Sequence, residues 1–234
     1  MKVPWLSKRK IATIAEAVRA DYGEMTGSSV TPPIPVEDII ERGLKVRIGF
    51  SDLNRKLGLD DVLGATFVES RLICVDQSLL DHEIDGRLCF TFAHEAGHWV
   101  MHRRYIRSDV GADFSGRGVF CRARDAREPI EWQADYFASC LLMPETDVKC
   151  AFHSLYGAEP LRLVRVESSF CGPVCFDPCV ANWHLIADAV IRAGGFSNVS
   201  KQAMIIRLQE LGLVHNQTRA PLTWRAFSTA AYGI

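Results

Sequence analysis

The sequence predicts an α+β fold: a small antiparallel sheet, two long helices that follow it, and a helical C-terminal region. Three observations carry that expectation. Apolar residues recur at helical spacing in Lys8 to Tyr22, Asp85 to Arg104 and Pro129 to Leu142. Short segments of alternating or mixed β-branched character cluster between the first two of these. Strands and helices are segregated rather than interleaved, in the order helix, helix, sheet, long helix, loop, helix.

Each element has a local reason. Ile11, Ile14, Ala15 and Val18 place one apolar face on the first helix. Thr31-Pro32-Pro33-Ile34-Pro35 reads as a rigid extended linker. Pro35 to Arg42 reads as a short helix with Pro at its start and Gly43 at its end. Leu44 to Ile48 alternates apolar and polar residues, as a half-buried strand does. Gly64 to Glu69 and Arg71 to Asp76 read as two more strands joined by a tight turn near Ser70. Leu88, Phe92, Ala96 and Val100 mark the long helix. Tyr105 to Glu128 is an Arg- and Gly-rich loop of a length that usually has a function. Pro129 opens the helix PIEWQADYFASCLL, which stops before Pro144. Beyond Leu155 we expect helices at Val180 to Ala193 and from Ser200, a candidate N-cap, to a stop at Gly212. The division expected is residues 1–155 and 156–234.

Composition narrows the class. The 234 residues are 48% hydrophobic and 24% charged, ordinary for a globular protein, and the formal net charge of -1 gives no general attraction to nucleic acid or membrane. The N-terminus is basic but lacks the apolar run of a signal peptide, and no stretch is long and apolar enough to span a bilayer. A cytoplasmic protein with eight reduced cysteines is the expectation.

The chemistry concentrates in His94-Glu95-Ala96-Gly97-His98. Two histidines one helical turn apart aim both imidazoles at one point, and zinc accepts nitrogen ligands there at about 2.0–2.1 Å. Glu95 stands beside that point without aiming at it, where a base must be to take a proton from attacking water. A pair of surface histidines is the plain alternative. The apolar neighbours Phe90, Phe92, Ala93, Ala96, Trp99 and Val100 argue against it, because unpaired His and Glu are costly to bury. A third ligand is needed. His102 lies about 12 Å along a straight helix from His94, too far for one metal, and reads as a surface residue or as one that backs a ligand. A pattern with Gly at position 101 and His at position 104 is ruled out by Met101 and Arg104. Glu131 on the next helix is the better candidate, with Asp135 on the same face to accept a hydrogen bond from the back of a ligand imidazole.

FTFAHEAGHWVMH, EWQADYFASCLLMP and, more weakly, FSNVSKQAMIIRLQELGL resemble the ImmA/IrrE family of metallopeptidases over roughly residues 10–215. The resemblance implies a zincin-like core, Zn2+ held by His94, His98 and Glu131, Glu95 as catalytic base, and the acidic or amide residue that the family carries at Asp135. It also implies a helix-turn-helix repressor as the substrate, cut to derepress stress, DNA-damage, defence or mobile-element genes. Tyr105, His102 and His153 are candidates for a further donor to the oxyanion.

Other features have competing readings. Cys121, flanked by Arg117, Arg122 and Arg124, is a candidate inhibitory fourth zinc ligand; a packed cysteine without a role is the plainer reading. Arg103, Arg104, Arg107, Arg117, Arg122, Arg124 and Arg127 make residues 103–127 a candidate nucleic-acid surface and activating input, or a solvated loop balanced by Asp109, Asp113, Asp125 and Glu128. Cys171, Cys175 and Cys179 are spaced too widely for an ordinary structural zinc site. The helix after Ser200 reads as an amphipathic packing helix or as part of a helix-turn-helix. Two rival functions stay open: another zinc hydrolase, such as an amidase or exopeptidase, and a regulatory binding module with a vestigial metal site.

Overall fold

Ser7 starts the first helix. In the computed structural model, which describes residues 3–81, 85–105, 118–122, 128–163, 182–217 and 222, its Oγ accepts the Lys10 N–H at 3.3 Å. Helix α1 (Lys8–Thr26) ends where Gly27 takes a left-handed conformation, φ 69°. Its stripe of Ile11, Ala15, Val18 and Tyr22 is buried, and the helix packs on a later one, α5 (Pro129–Leu142). Arg19 reaches the end of α5 and donates to the Cys140 carbonyl at 2.7 Å, satisfying an acceptor that the helix itself leaves open.

These elements belong to the first of two units, Met1–Pro144 and Glu145–Ile234. After α1 come α2 (Val36–Asp38) and a π turn (Ile39–Gly43). Strand β1 spans Arg47–Ser51, later than the expected 44–48. Lys45 is left-handed at φ 56°, so the chain is not yet extended there. Helix α3 (Leu53–Leu57) follows, unanticipated, with Asp52 as its cap. Strands β2 (Val62–Phe67) and β3 (Leu72–Asp76) form the expected antiparallel pair. A fourth strand, β4 (Gly118–Arg122), lies within the segment expected to be loop throughout and pairs antiparallel with β2. The sheet order is β1-β3-β2-β4, with β1 added parallel to β3.

The period of two along β2 sorts its side chains between two layers. Ala65 and Phe67 join Leu53, Val62 and Cys74 in a buried apolar cluster. Gly64 and Thr66 face the other way, onto helix α4 (Asp85–Gly97). The helix expected to run unbroken to Arg104 changes character at His98: a π turn spans His98–His102 and a 3₁₀ turn Arg103–Tyr105. The rings of His98 and His102 lie 5.2 Å apart. Helix α5 packs along α4, with Pro129 in its first turn as expected.

The second unit contains α6 (Glu145–Tyr156), β5 (Leu161–Leu163), α7 (Trp183–Gly194), α8 (Lys201–Glu210) and β6 (Val214–Asn216). The expected boundary at 155/156 falls at the end of α6. Trp183, Phe196, Met204, Ile205 and Leu208 are buried in this unit. Ser200 caps α8 as expected, accepting the Ala203 N–H at 3.1 Å, and Gly212 is left-handed at φ 70°. Strands β5 and β6 pair in parallel, adding a small sheet to a region expected to be helical. Cys171, Cys175 and Cys179 lie outside the described residues. No helix among the described residues is long and apolar enough to cross a membrane.

Candidate metal centre

Two helices bring three side chains that could hold a metal together because small residues let them approach. A Cβ on Gly97 would stand 3.0 Å from the Phe137 ring and 3.3 Å from the Ala134 Cα. Glycine at that position therefore lets α4 and α5 close, one turn from Glu131 and beside His98. The room that Gly97 leaves is taken up by the neighbouring helix.

His94, His98 and Glu131 are all buried, and their donor atoms lie within 4.8 Å of one another. His94 Nε2 and His98 Nε2 are 2.9 Å apart. Glu131 places Oε2 3.1 Å from His94 Nε2 and Oε1 3.5 Å from His98 Nε2. Converging ring nitrogens leave no proton arrangement that serves every pair, whereas one cation takes all the lone pairs. The donor set of two imidazoles and a carboxylate suits zinc with one position open, and the observed cluster fits a metal.

The electrostatics agree with that division of labour. Burial pushes the Glu131 carboxyl up, but the facing His94 and His98 rings, when they carry a proton on Nε2, more than offset it and hold it at about 2. Burial lowers the His98 pKa, with Glu131 opposing, and so favours the neutral imidazole that a metal needs. The Asp135 Oδ1 accepts from His94 Nδ1 at 2.8 Å, which leaves the lone pair on Nε2.

Glu95 is completely buried beside this cluster. Thr66 Oγ donates to its Oε2 at 2.6 Å. Its Oε1 has no hydrogen-bond partner among the described residues. Burial pushes its pKa up to about 7, against the pull of His94 and Thr66. A Cβ on Gly64 would stand 2.5 Å from Glu95 Oε1, so β2 lies directly against the carboxylate. A buried carboxylate poised near neutrality with one uncommitted oxygen can take and return a proton.

Sequence reasoning missed three residues here: Gly64, Thr66 and Gln133. Gly64 and Thr66 carried a signal, a small-residue run in a strand otherwise rich in large apolar residues, but nothing local linked that strand to Glu95. His102 is not among the clustered donors, as expected, and of its two readings the structure bears out the one that backs a ligand ring. It is buried behind His98, Nδ1 to Nδ1 3.0 Å, and its Nε2 lies 3.4 Å from Gln133 Oε1. Burial, with the neighbouring His98, lowers its pKa to about 4.

The remaining candidates are scattered. Tyr105 is exposed on the 3₁₀ turn, and His153 is exposed on α6 in the second unit. Cys121 sits on β4 with its Cα in register with Gly64; its side chain lies outside the described residues. Arg103 stacks over Trp99 at 5.3 Å, while residues 106–117 and 123–127 of the Arg-rich segment lie outside the described residues.

A comparison with curated proteins finds no match. The profile of the IrrE N-terminal-like domain (Peptidase M78) matches residues 46–167. That match covers more than half of the chain, including the sheet, α4, α5 and the cluster of His94, His98 and Glu131. The chain belongs to the IrrE N-terminal-like peptidase family, a family of metallopeptidases.

Proposed function

We propose that this chain is a zinc-dependent endopeptidase whose substrate is a helix-turn-helix transcriptional repressor in the cytoplasm. The observation that carries the hydrolytic part is Glu95. It is buried against the His94, His98 and Glu131 cluster, oriented by Thr66, and retains an uncommitted Oε1. A site that only held a metal for structure, or a vestigial one, has no need of such a base.

His94, His98 and Glu131 would hold the zinc. Bound there, it would supply Lewis-acid polarisation of a carbonyl and of water. Glu95 takes the proton of the attacking water at Oε1 and delivers it to the amine nitrogen as the peptide C–N bond breaks. Thr66 holds Oε2, so Glu95 presents the same oxygen throughout. Asp135 keeps the His94 ring in its ligating tautomer.

The repressor and the control of cleavage are drawn from the resemblance and from charge. The arginines of residues 103–127 are proposed to take a nucleic-acid signal. Cys121 is proposed as an inhibitory zinc ligand; its position opposite Gly64, the residue against Glu95, supports that reading.

The test is metal content and cleavage measured in parallel on wild type and Glu95→Gln. The substrate is a helix-turn-helix repressor encoded beside the gene, with and without DNA at two salt concentrations. About one zinc per chain in both proteins, and cutting at one internal bond by wild type alone, is the expected result. Terminal trimming would favour an exopeptidase. Repressor binding without turnover in wild type would favour the regulatory module. Protein that takes up no metal would remove the proposal.

A further inference from the structure

Behind His98 runs a chain of buried polar contacts that the proposed reaction does not use. His98 Nδ1 meets His102 Nδ1 at 3.0 Å, His102 Nε2 meets Gln133 Oε1 at 3.4 Å, and Gln133 Nε2 donates to the Pro4 carbonyl at 3.1 Å. His98, His102 and Gln133 are all buried, so water does not compete for these groups.

The chain has a direction, set at its far end. A main-chain carbonyl only accepts, so the Gln133 amide must turn its NH2 to Pro4 and its oxygen to His102. That oxygen also only accepts, so His102 carries its proton on Nε2. The neutral His102 ring then offers a lone pair at Nδ1, and His98 must carry its proton on Nδ1. His98 Nε2 is left with its lone pair turned toward His94 and Glu131. We propose that His102 and Gln133 are positioning residues, with the Pro4 carbonyl as their anchor, that fix His98 in its metal-binding tautomer.

The anchor is itself held. Trp5 stacks on Trp132 of α5, ring centroids 4.9 Å apart and planes 7° from parallel. Trp132 sits between Glu131 and Gln133 in the sequence. The segment before α1 is thus clamped to the same turn of α5 that supplies a ligand. His102 reaches the back of the His98 ring because it lies four positions on, on the same face of the helix.

This inference rests on the metal-site reading, but its first test does not. Long-range proton–nitrogen NMR of the metal-free protein, at a pH where the imidazoles are neutral, reports which nitrogen of each ring is protonated. The expected result is Nδ1–H for His98 and Nε2–H for His102. Nε2–H at His98 would overturn the proposal whether or not the protein is a peptidase. The second test is zinc affinity by chelator competition on folded variants, checked by circular dichroism. His102→Leu is expected to weaken zinc binding about 10–100-fold, as loss of a ligand's hydrogen-bond partner does elsewhere. His102→Asn, whose Oδ1 can accept from His98, is expected to recover most of that loss, which a packing role would not produce. Gln133→Leu and Trp5→Ala are expected to give smaller losses, in that order, with a mixture of His98 tautomers. If His102→Leu keeps wild-type affinity, or His102→Asn binds no better than His102→Leu, His102 does not position the ligand. A protein that binds no zinc but shows the expected tautomers would sink the proposed function and leave the hydrogen-bond chain standing.

Discussion

The two histidines of the candidate metal centre are backed in opposite ways. His94 leans on Asp135, a charged carboxylate whose side chain is 44% exposed. His98 leans on His102 and Gln133, a neutral chain shut away from water. The first backing is strong for each bond but open to screening by salt and competition from water. The second is weaker for each bond, yet nothing competes with it, and a broken link leaves a polar group stranded in the core. One cluster therefore combines an adjustable histidine with a rigid one.

The largest effect should come from removing what both backings serve. Glu131→Ala is expected to abolish zinc binding and all peptidase activity, measured by metal analysis and product formation. It removes the anionic ligand, and two neutral imidazoles do not complete the site. Next, Glu95→Gln should keep the zinc and lower turnover by roughly 10²–10⁴-fold, the usual span for a lost general base. Gly64→Ala should resemble it in sign. The new Cβ would overlap the Glu95 carboxylate, so stability should fall by about 1–3 kcal/mol. Turnover should drop, while zinc affinity is largely kept. Equal losses of zinc affinity and turnover would show that Gly64 supports the helix rather than the base. Smallest is Asp135→Asn, which retains an acceptor for His94 on a half-buried side chain. A loss of no more than about tenfold in zinc affinity is expected, shrinking further at high salt. A larger effect there than at His102 would reverse the comparison.

pH separates the carboxylates in the metal-free protein. Glu95 titrates at about 7 when folded against 4.5 as a free group, so the folded state binds the extra proton between these values. Folding stability from this group therefore falls as pH rises from 4.5 to about 7, and Glu95→Gln should flatten that slope in a series of Tm measurements. Glu131 runs the other way. Depressed to about 2, it contributes stability that is present above 4.5 and lost as pH falls toward 2. When metal is bound, the cation's charge favours ionised Glu95, and the acid limb of the activity profile should lie below pH 7.

His94, His98, Glu131 and Asp135 were legible because each pair obeys a helical repeat, and the helix carries that repeat into space without help from distant residues. Pro129 and Ser200 were legible for the same reason: caps and first-turn residues act within a few positions. The spacing of His102 from His94 excludes it as a ligand and leaves it exposed or behind a ligand ring; which of the two holds depends on the burial of its helix face and on Gln133 of α5, a partner the local pattern does not show. Strand β4 was unreadable because its five residues sit among Arg and Gly, and its partner β2 lies more than fifty residues earlier. Helix α6 was overlooked although Val148, Ala151 and Phe152 carry its buried face at helical spacing.

By itself the sequence determined which side chains could bind a metal, which helices carry them, and that Glu95 stands next to the ligands. All of that follows from periodicity along one element. Only the tertiary structure decided that Gly97 lets α4 and α5 touch, that Gly64 and Thr66 cradle Glu95, and that His98 is tied through His102 and Gln133 to Pro4. Apart from His98 and His102, four positions apart, those contacts join residues 29 to 129 positions apart. No local pattern encodes such pairings, because they depend on how whole elements pack and on which face each strand turns inward.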